Sequence, residues 1–438
     1  MRRRTPPRRS PKLQPLGPIQ TYQVDALTNE AKGVARLAGK VTFIDGALPS
    51  ETVEAQVFKA GRRFDEASLT KILLPSPYRV IPKCAHFTKC GGCSFQHLAE
   101  PQQLEAKKSW LEGQLRNVAS NTDIEYLTDS SLQYRRRARI SIQSKKESLQ
   151  IGFRGKSSKT IIQIDQCLVL THKLQVVYAS LKSSLEKSEL AKKLGHIELL
   201  EDTKGASVLF RLIDVIADDL KADWQAWARN EGVTLYWQRP GEDKAVIEDN
   251  TLRHYELDGL TFHYHPQDFI QVNAAMNQKM VEQAIEWLAP NDSDVVLDLF
   301  CGVGNFSLPL GKRAKKVIGI EVQDSMVESG RRNAAFNQID KVTFLAADLT
   351  KPDSINLSAL GVTKVLLDPP RAGALEFLDS IIKIKPAQIL YVSCNASTLA
   401  RDAEYLVAKG YQVLRVSLME MFPQTSHVET MMLLQKKK

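Results

Sequence analysis

Between Asp294 and Glu321 the chain carries the pattern that most constrains its fold. Val295-Val-Leu-Asp298-Leu-Phe300 is a short apolar run with an acid near its end, and Cys301-Gly302-Val-Gly304-Asn305-Phe306 is a glycine loop opening a helix. Val317-Ile-Gly-Ile-Glu321 is a second apolar run with a terminal acid. Nearly continuous apolar runs suit strands buried on both faces, which parallel sheets with helical crossovers provide. Glycines after the first strand let a nucleotide approach the backbone, and an acid about twenty residues on can take ribose hydroxyls. Ser307 stands where a full G-x-G-x-x-G has its third glycine, which weakens a nicotinamide reading.

The alternation continues through Val342-Thr-Phe-Leu-Ala-Ala-Asp348, Val365-Leu-Leu-Asp368-Pro-Pro-Arg371 and Ile389-Leu-Tyr-Val. Ligands of such open sheets bind outside the carboxyl ends of the strands, so Glu321, Asp348, Asp368 and Cys394 are expected in one crevice. The layout resembles class I methyltransferases. That resemblance implies S-adenosylmethionine as the nucleotide, with Asp348 at its adenine.

Cys394 lies where the fifth strand meets a helix whose Leu399, Ala403, Leu406 and Val407 share one face before Gly410. A cysteine there is either a small core residue or a nucleophile. The helix N-terminus favours the thiolate, which at an ordinary pKa of about 8.5 is only a few per cent populated at neutral pH. The converging acids favour the nucleophile. Asp-Pro-Pro followed by an aromatic would suggest methylation of an exocyclic amine, but Arg371 follows here. Carbon methylation of a pyrimidine does need a thiol, because C5 is a poor nucleophile until something adds to C6. RNA cytosine-C5 enzymes resemble this layout but carry a cysteine in the fourth-strand motif, and this chain has none there, so uracil is favoured. Near the end, Met421 to Leu434 alternates like a final strand with His427 and Glu429 on one side. Glu429 there is either the base for the C5 proton or a surface glutamate on an edge strand.

At 438 residues the chain is long for one domain. Its 43% hydrophobic and 25% charged residues describe a soluble globular protein. With no run of about eighteen apolar residues and no hydrophobic leader, a cytoplasmic location without a membrane partner is expected. A net charge of +9 favours an anionic partner. No obligate protein partner is evident.

Residues 1–18, with Arg2, Arg3, Arg4, Arg8, Arg9, Lys12 and five prolines, read as a disordered basic arm. Short β-like runs separated by Asp45-Gly46 and Pro49-Ser50 then suit a small barrel over residues 19–76. Gly33-Val-Ala-Arg through Gly46-Ala-Leu-Pro-Ser-Glu resembles a TRAM domain, an OB-like RNA-binding module. In the next segment, 77–265, Cys84, Cys90 and Cys93 sit on one glycine-containing loop and Cys167 follows far downstream. Four thiolates suit zinc or an iron–sulfur cluster. The lack of a second C-x2-C pair disfavours a zinc ribbon, and His86 and His97 read as bystanders. A helix near 100–120, with Leu104, Trp110 and Leu111 as its apolar stripe, is expected against the catalytic domain. The run Tyr134-Arg135-Arg136-Arg137-Ala-Arg139 and Arg154 with Lys156 are candidate phosphate contacts or a solvated face. Trp224, Trp227 and Trp237 read as core.

The cysteine loop with Cys167, Asp368-Pro-Pro-Arg, Ser393-Cys394-Asn395 and His427-Val-Glu429 together resemble the RNA uracil-5-methyltransferase family, and the TRAM-like segment points to its branch acting on bacterial 23S ribosomal RNA. The resemblance implies an α/β class I methyltransferase domain over 266–438, a TRAM barrel before it and a central α+β iron–sulfur domain. It implies a [4Fe–4S] cluster on Cys84, Cys90, Cys93 and Cys167. Cofactor contacts would come from Gln271, Phe300, Asn305, Glu321, Asp348 and Asp368, with Cys394 as nucleophile and Glu429 as base. Other readings are a transfer RNA uracil-5-methyltransferase, an RNA cytosine-5-methyltransferase, and a non-catalytic RNA-binding assembly factor.

Overall fold

The computed structural model describes residues 17–145, 148–156, 158–242, 245–246, 252–351 and 355–437. Most of the basic arm, residues 1–16, lies outside them. By packing, the chain divides into two compact units, residues 1–83 with 94–106, and residues 84–93 with 107–438.

In the first unit β1 (Ile19–Leu27), β2 (Lys32–Leu37), β3 (Lys40–Asp45), β4 (Thr52–Ala60) and β5 (Phe64–Leu74) close into a barrel in the order β1-β2-β3-β5-β4. Alternation puts Tyr22, Val24, Ile44, Val53 and several alanines inside. Gly33 is needed for the same close packing: a Cβ there would come within 2.9 Å of both Val24 and Ala47. Glu51, fully buried, is held by Arg79 at 2.8 Å and by the amides of Leu48 and Ser76. Burial pushes that carboxyl up, but these partners outweigh it and keep it below its ordinary range.

Helix α1 (Glu100–Leu115) falls within the expected region, whose helical pattern runs from Gln102 to Leu115. Its buried positions are Gln103, Lys107, Leu111 and Leu115, an i, i+4 stripe. The expected stripe shared only Leu111 with it.

In the second unit β6 (Ile124–Leu127) precedes a six-stranded sheet. That sheet is built from β7 (Arg137–Lys145), β8 (Ser148–Arg154), β9 (Ile161–Gln163), β10 (Leu194–Asp202), β11 (Gly205–Leu212) and β12 (Thr234–Gln238), ordered β12-β11-β10-β7-β8-β9. Helices α2 (His172–Leu185) and α3 (Asp218–Glu231) pack on it, with Trp224 and Trp237 buried and Trp227 partly so. A hairpin, β13 (Arg253–Leu257) with β14 (Leu260–Tyr264), turns at Asp258-Gly259. Both turn residues have positive φ, as a type I′ turn requires.

The nucleotide-binding pattern forms the larger sheet. Its elements are α4 (Ala274–Leu288), β15 (Val295–Leu299), α5 (Ser307–Gly311), β16 (Lys316–Glu321), α6 (Asp324–Phe336), β17 (Val342–Ala346), β18 (Lys364–Leu367), α7 (Leu375–Ile384), β19 (Gln388–Ser393), α8 (Ala396–Ala408), β20 (Tyr411–Met419) and β21 (Glu429–Lys436). The order is β17-β16-β15-β18-β19-β21-β20-β6, with the first five parallel. Strand β21 inserts antiparallel between β19 and β20, so Glu429 is not on an edge strand. Strand order reverses beside β15, which places a crevice over its carboxyl end. Residues before 266 also belong to this body. Strand β6 extends the sheet, and Tyr255, Phe262 and Tyr264 of the hairpin share a core with α4 and β15.

Candidate active site

At the switch point the chain leaves β15 through Phe300, whose φ of 63° is in the left-handed region. A non-glycine residue holds that conformation at a cost on the order of 1 kcal/mol. The glycine loop follows. Gly304, at φ 94°, lies where a Cβ would come within 2.8 Å of the Phe344 ring, so only glycine fits there.

A cavity of about 440 Å³ opens over this loop. Gln271, Phe300, Asn305, Glu321, Asp348 and Asp368 all line it, joined by Tyr255, Ile270, Cys301, Met326 and Leu349. Glu321 Oε1 accepts from the Val322 and Gln323 amides at 2.9 and 3.0 Å, and Oε2 from Gly302 N at 3.3 Å. Asn305 is locked in a double amide exchange with Asn277 at 2.9 and 3.0 Å, and the Tyr255 hydroxyl donates to its Oδ1 at 3.2 Å. Thr350 and Lys351 hold Asp348 down at about 2, a carboxylate at any working pH. Burial alone raises Asp368 to about 7.

Beyond Asp368 the crevice continues to the Cys394 joint. Asn395 caps α8 through its Oδ1 to Ser397 N, and its Nδ2 donates to the Arg371 carbonyl at 3.0 Å. The Thr398 hydroxyl donates to the same carbonyl at 3.1 Å. The Asp368-Pro-Pro-Arg371 turn is thereby tied to the cysteine. The thiol is not lowered as its helix position suggested. Burial, Glu429 and Asp368 push it up, and the exposed Arg371 offsets only part of this. Glu429, half-buried at the start of β21, is raised to about 8 by burial and Asp368, against Arg371 and Lys107. His427 is corrected too: it lies outside the strand, is exposed, and stacks near Phe422 at 5.4 Å.

Two groups here went unassigned in the sequence. Asp298 is fully buried, accepts from the Ser307 hydroxyl at 2.5 Å and is raised to about 7 by burial. An acid inside an apolar strand was its signal. Lys107 and Glu420 form a buried pair at 2.6 Å. A lysine in an otherwise amphipathic helix gave no comparable signal.

Of the four cysteines, Cys90 and Cys167 both feel the charge of Cys84, and Cys167 that of Cys90. Cys93 and Cys167 act together on Tyr134. Gly91 N donates to the Arg154 carbonyl at 2.9 Å, and a Cβ on Gly91 would crowd that oxygen at 3.0 Å. Among the described residues no three His, Cys, Asp or Glu side chains are grouped tightly enough to hold one metal ion. The arginine run is largely spent inside the protein. Arg136 lies over the Tyr255 ring at 4.8 Å and donates to the Gln271 carbonyl, and Arg137 pairs with Glu198 at 2.9 Å. Arg139, Arg154 and His196 instead line a separate pocket of about 400 Å³ beside Gly91 and Gly92.

The profile of the tRNA (Uracil-5-)-methyltransferase family matches residues 99–437, and that of the TRAM domain residues 16–70. The chain belongs to the tRNA (uracil-5-)-methyltransferase family. It is 66% identical to a Marinomonas protein (strain MWYL1) named 23S rRNA (uracil(1939)-C(5))-methyltransferase RlmD, over 100% of both chains. To the Vibrio parahaemolyticus protein of the same name it is 42% identical, over 95% of this chain and 96% of that one. Among solved structures it resembles the Pyrococcus abyssi tRNA (uracil-54, C5)-methyltransferase in complex with S-adenosyl-L-homocysteine. The TM-score is 0.76 at 26% identity, over 94% of this chain and 99% of that one. Family membership thus accounts for both the methyltransferase sheet and the leading barrel. No helix among the described residues is long and apolar enough to cross a membrane.

Proposed function

We propose that this protein transfers a methyl group from S-adenosylmethionine to C5 of the uridine numbered 1939 in 23S ribosomal RNA, in the cytoplasm. The observation that carries the reading is identity of 66% over the full length of a relative named for that reaction. Asp368 supports it locally, since it both lines the cavity and acts on Cys394 and Glu429.

S-adenosylmethionine, when bound, supplies the electrophilic methyl, and the six cavity residues from Gln271 to Asp368 are the ones to hold it. The target uridine leaves its stack to reach the crevice. Cys394 as thiolate adds to C6, which makes C5 nucleophilic towards the methyl. Glu429 then takes the C5 proton, the electrons of that bond form the C5–C6 double bond, and the C6–S bond breaks to return the thiolate. The barrel over 19–76 serves as an RNA grip, 77–265 as a central domain and 266–438 as the catalytic domain.

Cys84, Cys90, Cys93 and Cys167 fit a [4Fe–4S] cluster. All four are free thiols, and four thiolates are the donor set that such a cluster takes. Its chemistry would be a cross-link between the 84–93 loop and the segment at Cys167.

Protein purified without oxygen and supplied with methyl-labelled S-adenosylmethionine should place label in 5-methyluridine of unmodified 23S RNA. Label in transfer RNA instead would keep the chemistry and overturn the substrate. No label in any RNA would leave the assembly-factor reading.

A further inference from the structure

Residues 420–428 turn the chain from β20 back into β21 and deliver Glu429 to the crevice. Three side chains from elsewhere grip the start of that turn. Lys107 Nζ lies 2.6 Å from Glu420 Oε1 and 3.4 Å from the Phe422 carbonyl. The Tyr134 hydroxyl donates to the Pro423 carbonyl at 3.0 Å, and Asn273 Nδ2 to the Met421 carbonyl at 3.3 Å.

The lysine is the unexpected member. Lys107 is 2% exposed and Glu420 is 7% exposed, and Glu420 Oε2 is buried with no hydrogen-bond partner among the described residues. Desolvating such a pair costs about what its attraction returns, so two apolar side chains would serve stability as well or better. Tyr134 and Asn273 already clasp the turn without charge. What Lys107 adds is a basic group bonded to the turn that carries Glu429: burial lowers the lysine and raises Glu420, their 2.6 Å contact opposes both shifts, and a charge on Lys107 favours the Glu429 carboxylate. One buried lysine therefore serves two carboxyl groups.

We propose that Lys107, fixed by Glu420, is a positioning residue for Glu429, supplying the positive charge that lets it stand as a carboxylate ready to take the C5 proton. The inference rests on the reading of Glu429 as the base. Around Glu429 the other charged or titratable groups are Asp368 and Arg371 after β18, Cys394 after β19 and His427 in the turn. Asp368 opposes the carboxylate, and Cys394 does so once it is a thiolate. Arg371 and Lys107 support it, and of these two only Lys107 is shielded from solvent. Proton removal breaks the C5–H bond, its electrons form the C5–C6 double bond, sulfur leaves with its own pair, and the proton remains on Glu429 until solvent removes it.

The test compares uridine RNA with RNA bearing 5-fluorouridine at the target. Addition and methylation proceed on both, but fluorine cannot leave as a cation, so the second substrate traps the covalent adduct without needing the base. Lys107→Met should form that adduct as the unaltered protein does, yet turn over uridine about tenfold or more slowly. Its acid limb should lie at higher pH, and an uncleaved adduct should accumulate on uridine RNA itself. Lys107→Arg should keep turnover within about threefold. The double variant Lys107→Met/Glu420→Leu should recover thermal stability without recovering turnover, and it reads the same split if the single variant folds poorly. Turnover that recovers with stability, or adduct and turnover falling together, overturns the proposal. Absence of label from the unaltered protein overturns the reaction reading first, and this inference with it.

Discussion

Cys394 ends a strand of apolar residues, but the groups that decide its chemistry come from other elements. Its thiol is held up by Glu429 and Asp368, and Glu429 is itself raised to about 8. In the proposed mechanism both must lose a proton to act, so protons compete with catalysis. The rate constant kcat/KM is expected to climb through neutral pH, approaching about a hundredfold per unit below the Glu429 value, because both protons must be lost there. A flat profile between pH 6 and 8 would show both groups already ionised. Cys394→Ala should lose about 10⁴-fold or more of the rate while still binding S-adenosylhomocysteine by calorimetry, and Glu429→Gln should accumulate an adduct resistant to denaturant. Asp298 carries a different signature. Its folded-state value of about 7 lies above the unfolded value, so the folded chain binds the proton more tightly. Its contribution is most favourable below the unfolded pKa and declines as pH rises towards about 7. Asp298→Asn should remove part of that decline, worth on the order of 1–3 kcal/mol at pH 8, and melting curves from pH 5 to 8 read the difference. The strand–helix joint that carries Cys394 was legible in the sequence. The pKa of its thiol was not, because the acids that set it lie after β18 and on β21, far away in sequence.

Among the elements, those whose pattern follows burial were readable. Strands β15, β16, β18 and β19 are apolar because both faces are covered, and the glycine loop announces its turn. Gly304 shows how tight that turn is: Gly304→Ala meets both an unfavourable φ and the Phe344 ring. A loss of about 2–4 kcal/mol and a weaker cofactor affinity are expected, by denaturant titration and calorimetry. Helix α1 was misread because its buried stripe runs through Gln103 and Lys107. Periodicity ranks a lysine as exposed, and its burial is made tolerable by the distant Glu420 and the Phe422 carbonyl. The 421–428 segment alternates like a strand, yet Thr425 and Phe422 close a local turn through a 2.8 Å hydrogen bond and β21 starts only at Glu429. Alternation of apolar and polar residues alone cannot tell a strand from a turn.

For the molecule as a whole, net charge of +9 is a poor guide to where RNA lies. The arginine run that looked most available is mostly consumed: Arg136 supports Gln271 and Tyr255 beside the cavity, and Arg137 answers Glu198. The positive field that remains surrounds His196. Burial first, then Arg139, Arg154 and Arg211, hold that imidazole below its ordinary value, so it stays neutral at physiological pH. Arg139 and Arg154 line one pocket at the cysteine loop, and the proposal that they meet phosphate can be tested there. Each phosphate neutralised releases counterions, so affinity for a folded 23S fragment should fall steeply with salt, with a log–log slope of about −0.7 to −0.9 per contact. Replacing Arg139 or Arg154 by glutamine should make that slope shallower by about one contact each while leaving S-adenosylhomocysteine affinity unchanged. The same slope in the variants as in the unaltered protein would show that this pocket meets no phosphate. Loss of affinity at every salt with no change of slope would assign the arginines to packing of the loop.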